Sequence, residues 1–262
     1  MHTLKRIVVL ATAMSLVGLG SVGAVSASAA PAPTAVTGAS SSLSPALGAA
    51  QVVGTSKVAK AARIKKTKIV ALSPFRPSGY LKKAWSSDVR PGTAPTGDGG
   101  SDCSWSSVSA LNDGTYECVP TVLGAAFCWA SPKYPGRVLC LESAWSRHLR
   151  DYQASNLPRT HAPRRAQPLA MELSDGSRYE LKTGGTYPAR QDGLFGMYLC
   201  ANKVCASKDK DLAILSAGGH GVNRSRAVWT VRVGEVGGGD ETFPAPKRYQ
   251  VRKAWFIRND IR

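Results

Sequence analysis

Six cysteines constrain this chain more than any other feature of its sequence. They all follow residue 100: Cys103, Cys118, Cys128, Cys140, Cys200 and Cys205. An even set of cysteines in an exported chain is typical of disulfides, so we expect three. No two cysteines have C-x-x-C spacing, which counts against a thioredoxin-like redox motif and a zinc ribbon. The pattern predicts a disulfide-stabilised domain without a metal site.

The amino terminus indicates export. Lys5 and Arg6 precede an apolar run that extends to about Val25, and a small-residue A-x-A pattern ends at Ala29. These are the parts of a secretory signal peptide, which we place over residues 1–29. We therefore expect a secreted, extracellular protein, with attachment to the cell wall as an extension of that role. The alternative is an uncleaved membrane anchor.

We interpret residues 30–100 as a flexible basic arm. They are rich in Ala, Ser, Thr, Gly and Pro, and few of their side chains are large and apolar. Such a stretch cannot bury enough surface to offset the entropy lost on ordering. Its basic cluster contains Lys65, Lys66 and Lys68 and no acid. We expect these lysines to bind an anionic partner.

The charge balance indicates polyanionic partners. The chain carries 34 basic and 17 acidic residues, for a net charge of +17. Residues 30–100 hold 10 basic and two acidic residues, and residues 101–262 hold 22 and 15. A charge of this size attracts polyanions in a salt-sensitive manner. Outside a cell these are anionic wall polymers, a membrane surface or extracellular DNA, and nothing indicates specific recognition of a nucleic acid. The alternative is that the charge only keeps the protein soluble.

Residues 101–262 have the pattern of one mostly β domain. Short alternating or apolar runs are separated by turn residues. The strand candidates are residues 115–120, 125–129, 137–141, 169–173, 177–182, 196–200, 204–207, 212–216, 227–233 and 249–257. A short helix is predicted over 143–153, with Ser143 as its cap and Leu149 and Tyr152 on one side. We expect antiparallel hairpins in a sandwich- or barrel-like fold with at most this one helix.

The segment FCWASPKYPGRVLC, residues 127–140, predicts a central hairpin. If Cys128 and Cys140 face each other on antiparallel strands, their disulfide contributes about 3 kcal/mol by closing the loop. Strand alternation then places two apolar pairs on the opposite face, Trp129 with Leu139 and Phe127 with Leu141.

The tip of this hairpin carries the candidate contact residues. Two prolines and a glycine turn the chain there, so we expect Lys133, Tyr134 and Arg137 to be exposed and to bind a partner. A metal at Cys128 and Cys140 would need further ligands, and no histidine stands at ligand spacing to either cysteine.

A second hairpin can be aligned from its turn. In LAMELSDGSRYEL a three-residue loop, residues 174–176, puts Gly176 where a positive φ is needed. The resulting register pairs Glu172 with Arg178, Met171 with Tyr179 and Leu169 with Leu181.

The remaining cysteines pair by similar reasoning. A two-residue turn at Asn202 and Lys203 makes Cys200 and Cys205 opposed residues, at a separation that suits a disulfide. By elimination, the third disulfide joins Cys103 to Cys118.

Signals for catalysis are few. His220 in AGGHGVNRS is flanked by glycines that would open the backbone around a general base, although an exposed loop histidine is the simpler interpretation. His148 and His161 lie in basic polar segments and are interpreted as surface residues. The chain has no G-x-S-x-G turn, phosphate-binding loop or dinucleotide fingerprint, and an even cysteine count leaves no free thiol. We expect no cofactor.

Pairs of carboxylates are the other catalytic possibility. Glu142 with Asp151, or Glu172 with Glu180, would provide the two acids of a glycoside hydrolase. Nothing in their surroundings singles them out, and Glu172 is already explained by its predicted cross-strand partner.

Four segments together resemble small secreted or surface proteins of actinobacteria: ECVPTVLGAAFCWASPKYPGRVLC, MELSDGSRYELKTGG, DGLFGMYLC, and AVWTVRVG with VRKAWF. In that group an L-x-D-G hairpin leads to a glycine-rich turn, a G-x-Y-x-C strand and a closing strand with tryptophan. The likeness covers residues 101–262 and implies export and fold type, with no established activity. Members often have a cysteine just after the D-G turn, where this chain has Tyr179, so Cys205 would replace that cysteine as the partner of Cys200.

These observations favour a monomeric, non-enzymatic secreted protein associated with the cell envelope. The basic arm would bind an anionic wall polymer or membrane surface, and the tip of the clamped hairpin would add a specific contact. Two alternatives stay open. One is a secreted cell-wall hydrolase that uses His220 with a nearby acid, and the other is a secreted protease inhibitor that presents the 128–140 loop.

Overall fold

Buried and exposed side chains alternate along many short segments of this protein, and these segments form β-strands. The computed structural model describes residues 64–89, 100–119, 124–206, 210–219, 221–237 and 242–261. The strands in these ranges are β1 (Lys68–Leu72), β2 (Ser86–Ser87), β3 (Ser101–Ser106), β4 (Thr115–Val119), β5 (Cys128–Ala130), β6 (Arg137–Leu141), β7 (His148–Asn156), β8 (Ala170–Leu173), β9 (Arg178–Leu181), β10 (Phe195–Cys200), β11 (Asp211–Ser216), β12 (Val222–Asn223), β13 (Thr230–Val236) and β14 (Lys247–Ile257). The mostly β prediction is confirmed, since none of the described residues is in an α-helix.

Strands β3 to β7 close into a small barrel. Consecutive strands pair antiparallel, and β7 returns to pair in parallel with β3. The short strand β2 adds to β7 from outside this ring. The buried residues on the enclosed side are Cys103, Tyr116, Cys118, Ala125, Cys128, Val138, Cys140 and Tyr152. Two disulfides therefore fill much of the interior of this barrel.

A larger barrel is formed by β8, β9, β10, β11, β13 and β14. Each strand pairs antiparallel with the next, and β14 pairs with β8 to close the ring. Tyr198 lies opposite both Leu181 and Ile214, and Ile214 lies opposite Val233, so one row of apolar side chains runs around the inside. Such a ring leaves few unpaired strand edges.

The two barrels share one hydrophobic core. Trp129 and Leu139, on the outer side of the small barrel, pack in the same cluster as Met171 and Phe256 of the large one. The Trp129 indole Nε1 donates a hydrogen bond to the carbonyl oxygen of Arg258 at 3.0 Å. The apolar face predicted for the central hairpin is therefore the face that joins the barrels.

The hairpin registers match the sequence-based alignments. Cys128 faces Cys140, and Trp129 faces Leu139. The pairs Met171 with Tyr179 and Glu172 with Arg178 are also present, and Gly176 has the predicted positive φ of 86°. The disulfides join Cys103 to Cys118, Cys128 to Cys140 and Cys200 to Cys205, as expected.

The predicted arm is wrong over residues 64–89, because this segment is folded against the barrels. Strand β1 pairs in parallel with β14, and β2 pairs in parallel with β7. Leu72, Phe75 and Trp85 are buried in the shared core. A few apolar residues suffice here because distant strands supply the rest of the core. The predicted leader and residues 30–63 lie outside the described residues.

Two local predictions are also wrong. The predicted helix over 143–153 is instead a turn that is followed by β7. In this turn the Ser143 hydroxyl accepts a hydrogen bond from the Trp145 amide. Ser143 therefore caps a turn, while β6 recruits the following residues as its partner strand. The predicted strand over 204–207 is not formed by residues 204–206, which are the part of it that the structure describes. Residues 202–205 form a tight turn instead, in which the Ala206 amide donates a hydrogen bond to the Asn202 carbonyl at 3.0 Å.

Among the described residues there is no helix with the length and apolar character needed to cross a membrane.

Candidate functional site

The lysines predicted to bind an anionic partner border a sheet. Lys65 and Lys66 are exposed, and Lys68 begins β1. Because β1 runs parallel to β14, Lys68 lies beside Lys253. The predicted basic cluster is thus continuous with the cations of β14.

A β-bulge turns two successive cations of β14 to the same side. The pairing with β8 shifts between Val251 and Lys253, while Val251 and Ala254 are fully buried. At a bulge two residues oppose one residue of the partner strand. Arg252 and Lys253 accordingly both reach Glu172 of β8, on the outer side of the large barrel.

One buried carboxylate lies among three of these cations. The Glu172 side chain is 6% exposed, and its oxygens lie 3.6 Å from Arg178 Nε, 3.4 Å from Arg252 Nη1 and 3.2 Å from Lys253 Nζ. The predicted partnership of Glu172 with Arg178 is present. A single negative charge does not neutralise three positive ones, so this part of the surface keeps a positive surplus.

Two arginines extend the positive surface along β14. Arg248 is exposed on the outer side and lies directly opposite Arg232 of β13, which is also exposed. Like charges in opposed positions repel each other, and neither arginine forms an ion pair with a described residue. We name the outward cations of these strands the β14 ridge: Lys68, Arg178, Arg232, Arg248, Arg252 and Lys253.

The hairpin tip is less exposed than predicted. Lys133 is exposed, with its ammonium 4.6 Å from the centre of the Tyr80 ring, and Tyr134 is half-buried. The prediction for Arg137 is wrong, because its side chain is only 12% exposed and its Nη2 lies 3.3 Å from Asp151. Burial raises the pKa of the Asp151 carboxyl, and the Arg137 guanidinium opposes that shift. Arg137 therefore compensates a buried charge of the small barrel.

The tip borders a groove of about 320 Å³ that lies between it and residues 75–89. The groove is lined by Phe75 and Tyr80 of that segment and by Pro132, Lys133 and Tyr134 of the tip. The close approach depends on Gly79, where a Cβ would lie 2.9 Å from the Pro132 side chain. Lys133 and Tyr134 are thus brought together with residues that the sequence had assigned to a free arm.

The described histidines each face an acid. His161 Nδ1 lies 3.0 Å from Asp113, and the amide of Ala162 together with His161 lowers the pKa of that carboxyl. His148 lies between Asp88, 2.7 Å from its Nε2, and Ser86, 3.0 Å from its Nδ1. His220 lies outside the described residues, so its predicted catalytic role has no geometry to support it.

The Ser86–His148–Asp88 chain has the residue types of a hydrolase triad. Ser86 lies in the short strand β2, where its amide donates to the Arg147 carbonyl at 2.9 Å, instead of at a strained turn. The His148 and Asp88 side chains are 41% and 36% exposed, so water competes for their hydrogen bonds. Sequence reasoning missed this chain, since its members come together only through the β2–β7 pairing.

The carboxylates predicted as catalytic pairs have structural partners. The Glu142 carboxylate contacts Arg150 Nε at 2.5 Å. The Glu180 carboxylate accepts hydrogen bonds from the Ser143 hydroxyl and the Ala144 amide, at 2.6 and 2.7 Å. Glu142 therefore contacts a residue of β7, and Glu180 stabilises the turn that precedes β7.

The sulfur atoms of Cys118, Cys128 and Cys140 lie within 4.8 Å of one another inside the small barrel. All three belong to disulfides. A zinc ion binds thiolates, so this cluster offers it no ligand while the disulfides are intact.

Sequence reasoning missed Arg232, Arg248, Arg252 and Lys253 as binding residues of the β14 ridge. Arg232 lies in the predicted strand 227–233, and Arg248 directly precedes the predicted strand 249–257, but as single arginines they look like ordinary surface residues. The only signal would have been the pairing of those two strands, which makes the arginines direct neighbours.

Comparisons of this chain with protein-family models, curated proteins and solved structures find no match. The chemistry of the β14 ridge and of the disulfide-filled barrel is therefore what supports a function.

Proposed function

We propose that this protein is a secreted, non-enzymatic component of the cell envelope that binds anionic polymers through the β14 ridge. The basic residues before β1, including Lys65 and Lys66, extend the same contact. Three disulfides in a small domain are consistent with an extracellular location.

One observation carries the proposal: six cations of four strands share a surface, and only three of them contact a carboxylate of the described residues, that of Glu172. Arg248 and Arg252 are four residues apart on the outer side of one strand, which separates them by about 13 Å. Lys68 and Arg232 flank them on the neighbouring strands. A linear polymer with closely spaced negative charges can therefore neutralise several cations at once.

The binding should weaken with salt, because most of these cations are exposed to solvent. Exposed charges are screened over about 8 Å at physiological ionic strength. For flexible single-stranded polyanions, the slope of log affinity against log salt is about −0.7 for each neutralised charge. Contact with four cations of the ridge would give a slope of about −3.

The test is retention of the mature protein on purified cell wall and on immobilised polyphosphate across a salt series. Lys68→Gln/Arg252→Gln should elute at lower salt than the wild type. Lys83→Gln/Arg159→Gln removes the same charge from exposed positions outside the ridge and serves as the matched control. Equal elution of the two variants would overturn the assignment to the ridge, and no retention of the wild type would overturn polymer binding itself.

A hydrolase is a second candidate, favoured by the Ser86–His148–Asp88 hydrogen bonds. In that function His148 accepts the Ser86 proton as the hydroxyl attacks an ester or amide carbonyl, and Asp88 stabilises the resulting imidazolium. The wild type would then hydrolyse an activated ester faster than Ser86→Ala. Equal rates for the two proteins would exclude this candidate.

An inhibitor that presents the 128–140 loop is a third candidate, supported by the exposed Lys133 at a disulfide-clamped tip. Inhibition of trypsin by the wild type and its loss in Lys133→Ala would support it. The contact of Lys133 with Tyr80 counts against it, because the lysine must leave that ring to enter a protease pocket.

A further inference from the structure

A cavity of about 340 Å³ lies at one end of the β14 ridge. Its lining includes Arg232 and Arg248, and also Ser216, Gly218 and Gly221 from the end of β11 and the turn that follows it. Its volume is at the lower end of the range for small-molecule sites.

Two arginines on neighbouring strands, Arg232 and Arg248, line this cavity. The Cβ atoms of directly opposed residues are separated by about 5 Å, so Arg232 and Arg248 can both reach one ligand. A guanidinium presents several N–H donors in a planar fork that fits the oxygens of a phosphate. Neither arginine has a carboxylate partner among the described residues, so both forks remain available within that part of the chain.

The facing loop adds backbone donors. Gly218, Gly219 and Gly221 have φ values of 114°, 81° and 62°, a conformation that other residues rarely adopt. The Ser216 hydroxyl donates to the Gly218 carbonyl at 3.1 Å and holds the turn. Within the described chain, the amides of Gly218 and Gly221, which line the cavity, have no hydrogen-bond acceptor. Open backbone amides in such a turn form a concavity that favours anions.

We propose that this cavity binds a single phosphate group of the anionic polymer, held between the Arg232–Arg248 pair and the glycine turn. The proposal rests on the function proposed above and names the site and the chemical group for it. Phosphate fits better than carboxylate because donors approach from two sides, and a phosphate has enough oxygens to accept from both. The bound charge also relieves the repulsion between the two opposed arginines.

The experiment compares wild type with Arg232→Gln/Arg248→Gln, using Arg76→Gln/Arg226→Gln as a control of equal charge at exposed positions. Tripolyphosphate and phosphatidylglycerol vesicles serve as separate probes, which distinguishes a soluble phosphate source from a lipid headgroup. Polyglutamate tests the choice of phosphate over carboxylate. Binding is measured by titration calorimetry, and the site is located by amide chemical-shift changes in NMR.

We expect Arg232→Gln/Arg248→Gln to lose about tenfold or more in affinity for tripolyphosphate, since each lost charged hydrogen bond is worth about that factor. The control should lose much less, and shifts should centre on Gly218 and Gly221. Equal losses in both variants, unshifted glycine amides, or equal binding of polyglutamate would overturn the phosphate site. If the wild type and both variants were still retained on cell wall, the protein would bind the polymer without using this cavity. If none of the three were retained, the proposed function itself would be wrong.

Discussion

Removing the disulfide inside the small barrel tests how this fold is stabilised. In Cys128→Ala/Cys140→Ala, two fully buried side chains lose their sulfur atoms and a loop with a sequence separation of 12 is opened. The chain-entropy account assigns about 3 kcal/mol to that loop. Each deleted sulfur leaves a buried void that costs about 1 kcal/mol more, by comparison with a buried methylene. The expected loss in the free energy of unfolding is therefore about 5 kcal/mol.

The disulfide beside the large barrel provides a matched control. Its sequence separation is 5, and only Cys205 is buried, while Cys200 is half-buried. The same account assigns about 2 kcal/mol to Cys200→Ala/Cys205→Ala, with a smaller contribution from the void. The difference between the variants arises mainly from loop length and from the closed interior that surrounds Cys128 and Cys140.

Equilibrium unfolding in urea measures both losses. With a denaturant slope of about 2 kcal/mol per molar urea, the midpoint should fall by about 2.5 M for the inner disulfide and by about 1.5 M for the outer one, which loses one buried sulfur. Cys128→Ala/Cys140→Val separates the two contributions, because the valine refills part of the void while the crosslink stays absent. A larger loss for the outer pair, or no recovery with valine, would refute the reasoning.

Three further predictions address buried charges. Arg137→Ala should lower the free energy of unfolding by about 3 kcal/mol, because it leaves the buried Asp151 carboxylate without its cation; Lys133→Ala, at the exposed tip of the same hairpin, should cost less than about 0.5 kcal/mol by urea unfolding. Glu172→Gln should raise affinity for polyphosphate by removing the one carboxylate that the ridge cations contact. It should also lower the free energy of unfolding by about 2 kcal/mol, because this carboxylate is buried among its partners; calorimetry and urea unfolding measure the two effects separately. Burial raises the pKa of the Tyr179 hydroxyl to about 12; the folded state therefore keeps this proton where the unfolded chain loses it, and urea midpoints should fall as pH rises from about 10 through about 12, less steeply in Tyr179→Phe.

The hairpins could be predicted from sequence because their partners are close along the chain. The turn glycine at 176 and the alternation around Cys128 each restrict the register to one arrangement that buries the apolar residues. A slip by one residue would place those residues on the wrong side. The Cys128–Cys140 disulfide followed from the same local geometry. Cys200–Cys205 was predicted correctly from a two-residue hairpin that the structure replaces by a longer turn, and Cys103–Cys118 was assigned by elimination.

Residues 64–89 could not be placed in this way. Strand β1 pairs Lys68 with Lys253, and β2 pairs Ser86 with His148, so the partner strands lie far along the chain. Composition describes only what a segment can bury by itself. Phe75 and Trp85 are buried because two barrels already provide most of the core around them.

The helix prediction failed for a related reason. Leu149 and Tyr152 have a spacing that fits one side of a helix, and both are buried. Asp151 lies between them in the sequence and is also buried. A helix that buries Leu149 and Tyr152 would leave this position exposed. In the strand paired with β6, Arg137 lies next to the Asp151 carboxylate and compensates its charge. Local periodicity could not reveal an ion pair that depends on the neighbouring strand.

The same dependence on long-range pairing makes the β14 ridge a property of the folded state. Its cations come from β1, β9, β13 and β14, and Lys68 and Lys253 become neighbours only when β1 pairs with β14. A polyanion that requires this arrangement binds the native protein in preference to the unfolded chain and raises its stability by about 2.7 kcal/mol at a concentration of 100 times Kd. A polyanion attracted only by the net charge of +17 would bind the unfolded chain as well and stabilise the protein less. Thermal unfolding with and without polyphosphate therefore separates recognition by a surface from attraction to a basic chain.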